Sequence, residues 1–152
     1  MGRSSRRSGV VLALLLVTVL FLGALAPSQA GAVQTRREQM LELINKARHN
    51  RGVPRLSFDR ELNRFAKAHS REMERKDRLF HSDDVYRYLP RSWHTWGENV
   101  GVGVSVRGLH EAFMDSDGHR HNVLNGAFDR VGIGFVRSPH EGTLWVTVVF
   151  YG

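Results

Sequence analysis

Residues 96–103 read WGENVGVG, an apolar and glycine-rich run that carries one ionisable side chain, Glu98, between Gly97 and Asn99. An ionised carboxylate removed from water costs several kcal/mol unless it is paired, hydrogen-bonded or held against a metal. Glu98 must therefore face solvent or have partners supplied by other segments. Its neighbours allow either an irregular strand or a loop lying on the core, because Gly97, Gly101 and Gly103 let another backbone approach closely.

Upstream of this run, residues 79–96 lose all periodicity. Pro90 and a Ser/His/Asp-rich composition predict a long loop with at most a short helical turn around Val85–Leu89. A loop of that length in a compact domain is usually functional. Two helices precede it. Thr35-Arg36-Arg37-Glu38 is a capping box, and Met40, Leu41, Ile44 and Ala47 follow at helical spacing until Asn50-Arg51-Gly52, which predicts a helix over 35–50. Val53-Pro54-Arg55-Leu56 must be extended. Ser57 is then the expected cap of a second helix ending near Asp77, in which Leu62, Phe65, Ala66, His69 and Met73 share a face. His69, alone on that apolar stripe, reads as a hydrogen-bonded core residue rather than a ligand.

Downstream, Ser105 leads into a third helix through Leu109, Ala112 and Phe113, broken at Asp117-Gly118, and His119–Leu124 suits a short fourth. Phe128–Val136 and Thr143–Tyr151 are β-rich and are joined by Ser138-Pro139-His140-Glu141-Gly142, the pattern of an antiparallel hairpin. The expected class is α+β, with helices packed on a small antiparallel sheet.

The first thirty residues do not read as part of that fold. Arg3, Arg6 and Arg7 precede an almost unbroken apolar run from Val10 to Ala26, and Ser28-Gln29-Ala30 offers small residues where a signal peptidase reads. Residues 1–30 are expected to be a secretory signal peptide, with the mature chain beginning at or near Gly31; the competing reading is an uncleaved anchor, since the apolar run reaches the low end of a bilayer span. Arg6-Arg7 is a weak hint of twin-arginine export. Residues 31–152 then form a single domain, large enough to bury a core of its own. Three of the chain's 22 basic residues leave with the signal and none of the 15 acidic ones, so the mature charge is 19 minus 15, or +4. Its arginines form no run and belong to no nucleic-acid-binding module, so no nucleic-acid partner is expected. Cysteine is absent, which excludes a lipoprotein anchor, disulfides and cysteine-nucleophile chemistry.

No local motif supplies a chemistry. H-E-x-x-H, G-x-S-x-G, the Walker loop and the dinucleotide glycine pattern are all missing, and His119 and His121 point to different faces if their segment is helical. What the chain does carry, in order, is Leu62–Met73, His81-Ser82, Gly97-Glu98-Asn99-Val100, Ser116-Asp117-Gly118-His119-Arg120-His121-Asn122, Val131-Gly132-Ile133-Gly134 and a closing Trp145–Phe150. In this series it resembles the CAP superfamily (cysteine-rich secretory proteins, antigen 5 and plant pathogenesis-related 1 proteins), and within it the small bacterial secreted branch. The resemblance covers about residues 35–151. It implies an α-β-α sandwich with an open central cavity where histidines and glutamates converge and can hold a divalent cation. By motif the cavity residues are His81, Glu98 and His119, and zinc is the metal that best suits two imidazoles, one carboxylate and a water. Two departures bear on that set. Where eukaryotic members place a second glutamate on the third helix this chain has Ser116, and their second histidine lies elsewhere, so His119 substitutes for it only within the bacterial pattern. The alternative without metal is that Glu98 accepts hydrogen bonds from His81 and nearby N–H groups and locks the long loop onto the core.

The expected role is a secreted, monomeric and non-catalytic module that binds a lipid, a cell-wall component or a protein and meets the membrane only through its signal. A metal-dependent hydrolase acting on peptide or wall bonds is the second reading, with Asp83, Asp84 and Asp117 eligible as acid or base. A structural extracytoplasmic module is the third. A Ser82 or Ser116 triad lacks both a strained elbow and oxyanion donors.

Overall fold

The computed structural model describes residues 34–152; the expected signal segment and the chain's first expected mature residues lie outside them. In chain order the elements are α1 (Arg36–His49), β1 (Ser57–Phe58), α2 (Arg60–Lys76), a 3₁₀ turn (Val85–Tyr88), β2 (Trp96–Gly103), α3 (Val106–Asp115), α4 (Asp117–Leu124), β3 (Arg130–Arg137) and β4 (Leu144–Tyr151). The α+β reading and the α-β-α layering both hold, and the capping box at Thr35 is formed in both directions.

Three local expectations change. The cap of α2 is Asp59, whose side chain accepts from the Leu62 N–H at 2.9 Å, while Ser57 belongs to β1. Residues 96–103 form a regular strand along their whole length, antiparallel to β4 from Trp96↔Tyr151 to Gly103↔Leu144. Asp117 and Gly118, read as breakers, are instead the first turn of α4, where an acid suits the positive end of the helix. The sheet is also mixed rather than purely antiparallel: its order is β1-β3-β4-β2, and the two-residue β1 pairs parallel with Arg130 and Val131.

All eight residues of β4 are buried because both faces of this strand are covered. Val146, Val148 and Phe150 join Met40 and Ile44 of α1, Leu109 and Phe113 of α3 and Val123 of α4 in one core. The alternate residues Val149 and Tyr151 face the other way, onto Leu62 and Phe65 of α2 and Val85 and Leu89 of the long loop. Each such fully buried aliphatic or aromatic side chain is worth about 1.5–3 kcal/mol over exposure.

Gly132 and Gly134 explain why α2 can lie flat on β3. A Cβ at Gly132 would stand 2.5 Å from Leu62 Cβ, and one at Gly134 would run into the backbone of Ala66 and Lys67. The helix then bonds to the strand through side chains. Asn63 Oδ1 accepts the Ile133 N–H at 2.7 Å, and the Ser70 hydroxyl bridges the Gly134 carbonyl and Thr147 Oγ1 at 3.0 and 2.9 Å. On the opposite face the fully buried Arg48 donates to the carbonyls of Pro54, Val123, Asn125 and Phe128 at 2.6–3.0 Å. One guanidinium thus ties α1 to the end of α4 and the approach to β3, and four main-chain acceptors offset the cost of burying its charge.

Candidate functional site

The site forms on β2, the edge strand opposite β1, because strand pleating sends alternate residues of Gly97-Glu98-Asn99 to opposite faces. Gly97 and Asn99 face α4. A Cβ at Gly97 would lie 2.6 Å from Asn122 Oδ1, so the absence of a side chain lets α4 sit close. Asn99 is fully buried, donates to the His119 carbonyl at 3.0 Å and accepts from Asn122 Nδ2 at 2.9 Å; the same amide also reaches the Glu98 carbonyl at 3.2 Å. These bonds close the outer edge of β2 and set where the first turn of α4 carries His119. Its ring packs against Phe113 at 5.2 Å between centroids.

Glu98 points to the α2 side, and its side chain is only 3% exposed. The residues that meet it come from the long loop, delivered by His69. That histidine, packed between Phe65 and Phe80, makes a 2.9 Å contact from Nε2 to the Phe80 carbonyl. A carbonyl only accepts, so Nε2 carries the proton. Holding Phe80 there brings the next two residues to Glu98. His81 Nδ1 lies 2.7 Å from Oε1, the Ser82 N–H donates to Oε1 at 3.0 Å, and the Ser82 hydroxyl donates to Oε2 at 2.5 Å. His69 is thus structural, as its place on an apolar stripe implies, and it holds the loop whose next residues reach Glu98.

The three residues expected from sequence occupy one neighbourhood but unequal positions. Glu98 is buried and fully engaged, His81 is exposed to 63% of its side chain, and His119 is half-buried. Burial pushes the proton affinity of the His119 ring down, and the charge of His81 pushes it the same way. Both effects disfavour the charged form of His119. Sequence reasoning missed Asn99 and Asn122 as the residues that fix α4, and gave Ser82 no part as a donor to Glu98. Their signal was the three-residue spacing of His119 and Asn122 on one helical face and the serine beside His81.

Whether these residues suit a divalent cation is a question of donor chemistry. Both oxygens of Glu98 are already taken by protein donors, and among the described residues no group of three or more His, Asp or Glu side chains is arranged to hold a metal. His81 alone has a carboxylate behind its ring, with Nδ1 2.7 Å from Glu98 Oε1, the arrangement that usually supports a ligating imidazole. Hydrolytic use of Ser82 has the opposite problem, since its hydroxyl proton goes to Glu98 and His81 faces the same carboxylate rather than the serine. Asp117 is paired with Arg120.

The fold has counterparts among known proteins. The chain is 32% identical over 128 residues to the Bacillus subtilis protein YkwD, covering 79% of this chain and 48% of YkwD. It is 27% identical over 111 residues to the Bacillus subtilis membrane protein YlbC, covering 68% and 32%. It thus spans half or less of these curated relatives. Among solved structures, an outer surface protein of Borrelia burgdorferi superimposes with a TM-score of 0.69 at 16% identity, covering 76% of this chain and 91% of that one. An extracellular SCP-domain protein of Bacillus anthracis does so with a TM-score of 0.67 at 23% identity, covering 85% and 44%. At these identities the likeness is one of fold. Residues 41–150, most of the chain, match the model of the cysteine-rich secretory protein family, CAP, and the chain belongs to that family.

Proposed function

We propose that this chain is an exported, monomeric and non-catalytic binding domain whose cleft between His81 and His119 receives a ligand outside the cytoplasmic membrane. The observation that carries this reading is the state of Glu98. Its carboxylate is satisfied by three donors from residues 81–82, so it acts as the fixed support of an exposed imidazole rather than as a free acid, base or nucleophile. Lipid, cell-wall and protein ligands are all compatible with one exposed and one half-buried imidazole. Export is supported by the charged start, apolar run and Ser28-Gln29-Ala30 ending of residues 1–30, and by the extracellular nature of the Bacillus anthracis relative.

A divalent cation, zinc foremost, belongs to the proposal as a ligand of the imidazoles. His81 through Nε2 and His119 would hold it, with Glu98 behind His81, and the ion would supply a positive charge to an anionic ligand. The test is to follow the imidazole NMR signals of His81 and His119 while adding zinc, then wall muropeptides, then fatty-acid vesicles, alongside assays for peptide and wall hydrolysis. Shifts confined to these rings with no turnover are expected. Hydrolysis by the wild type that disappears in Glu98→Gln would replace this reading with the enzymatic one.

A further inference from the structure

The opposite edge of the sheet carries a second feature, unrelated to the histidine cleft. β1 covers only Arg130 and Val131 of β3, so from Ile133 onward the outer edge of β3 has no strand beside it. Two adjoining hollows lie there, of about 180 and 370 Å³, and they share Arg37, Asn63 and Lys67. Arg36 completes the first, and Arg60 and Arg64 the second. These five cations come from α1 and α2, and none has a carboxylate within ion-pair distance among the described residues. Glu38, the acid next to Arg37, has its carboxylate on the Thr35 N–H at 2.9 Å. Arg37 is held over the Phe58 ring at 5.3 Å.

Asn63 sets the chemistry at the floor. It is only 7% exposed, lines both hollows, and its Oδ1 is fixed by the Ile133 N–H. Its Nδ2 therefore has a defined direction, yet it donates to no group among the described residues. The same bond occupies the main-chain donor that an added β-strand would need first, so the edge is unsuited to pairing with a peptide. What remains is a set of donor side chains, four guanidinium groups, an ammonium and an amide, which calls for a ligand made of acceptors. Guanidinium forks match the oxygens of phosphate in pairs. Two hollows with shared walls call for successive anionic groups rather than one.

We propose that the β1–β3 edge is a binding site for a linear phosphate-bearing chain, read by Arg36, Arg37, Arg60, Arg64, Lys67 and the Asn63 amide. Such a chain is either free polyphosphate or a phosphodiester polymer of the cell surface, and both present the same repeating anion. The site lies across the sheet from His81, Glu98 and His119, so it stands or falls separately from the function proposed for them.

The test is anisotropy of fluorescently labelled polyphosphate with the full chain at low salt. Saturable binding that weakens as salt rises is expected. The double variant Arg37→Gln/Lys67→Gln should weaken it by about tenfold or more. Asn63→Asp keeps the acceptor for Ile133 and removes the donor, and it should weaken binding comparably. Arg107→Gln, on α3, and His81→Ala should leave it unchanged. Competition by poly(glycerol phosphate) would identify a surface polymer as the source; competition by inorganic polyphosphate alone would identify the free chain. Unchanged affinity in the folded double variant, equal loss with Arg107→Gln, or equal competition by polyglutamate would overturn the proposal.

Discussion

Ser82 is bound to Glu98 twice, through its backbone N–H to Oε1 at 3.0 Å and through its hydroxyl to Oε2 at 2.5 Å. With His81 on Oε1, the long loop is fastened to the edge strand at a buried carboxylate. Glu98→Gln places amide hydrogens against donors and should cost about 1–3 kcal/mol. Ser82→Ala should cost less, about 1 kcal/mol, since the backbone donor remains. Urea denaturation of each variant measures both. Equal stability of Glu98→Gln and the wild type would show that this carboxylate fastens nothing.

Zinc offers a second handle on the same cleft. If the imidazoles are its ligands, zinc should raise the melting temperature of the wild type by mass action and fail to do so in His81→Ala and His119→Ala. In Glu98→Gln the rise should be smaller but present, because the supporting residue is altered rather than a ligand removed. A complete loss in Glu98→Gln equal to that in His81→Ala would instead make Glu98 a direct ligand.

The sheet itself is tested at Gly134. A Cβ there collides with the α2 backbone at Ala66 and Lys67, which cannot move as a side chain can. Gly134→Ala should therefore destabilise by about 3 kcal/mol or more, at the top of the range for overpacking. Gly126 has nothing within 4 Å of an added Cβ, so Gly126→Ala serves as the control and should be near neutral. Matching denaturation midpoints for the two variants would refute the close approach of α2.

Aromatic truncation probes two clusters between α2 and the sheet. Phe65 is 8% exposed in one cluster and Trp145 is 5% exposed beside Met73 and Val100 in another. Each change to Ala should cost about 3–5 kcal/mol. Losses under about 1 kcal/mol at both positions would contradict the observed packing.

Much of this was legible in the chain, for identifiable reasons. The stripe Leu62, Phe65, Ala66, His69, Met73 marked the buried face of α2 because helical spacing survives any tertiary detail. Trp96–Gly103 was ambiguous because its glycines weaken strand propensity; pairing with a completely buried β4 makes it regular. β1 was invisible because two residues show no period, and Ser57 was given the cap that belongs to Asp59, two positions on. Arg48 had no sequence signal for burial at all: four carbonyls from distant segments accept its protons, and only the fold collects them. The cations of the β1–β3 edge are likewise scattered from Arg36 to Lys67 and become a patch only when α1 and α2 flank the same strand. Motif spacing singled out His81, Glu98 and His119, while the contrast between a buried, fully bonded Glu98 and an exposed His81 needed distances.

The pH dependence of stability follows from two histidines held below their ordinary proton affinity. His119 is lowered by burial and by the charge of His81; His110 is lowered by burial, and its Nε2 has no hydrogen-bond partner among the described residues. For both rings the folded chain binds protons less readily than the unfolded chain, whose value is near 6.5. The unfolded state takes up protons first on acidification, so their contribution is intact above about 6.5 and is lost as pH falls through the lowered folded values. The exposed Glu38 and Glu72 carboxyls are also lowered, from 4.5, and their loss belongs to a more acidic range. Urea midpoints measured between about pH 7.5 and 5 should fall with acid in the wild type, and fall less steeply in His110→Gln and in His119→Gln, with the two effects adding in the double variant because the rings sit on separate helices with different neighbours. A slope unchanged in the double variant would show that neither ring is held neutral by the fold.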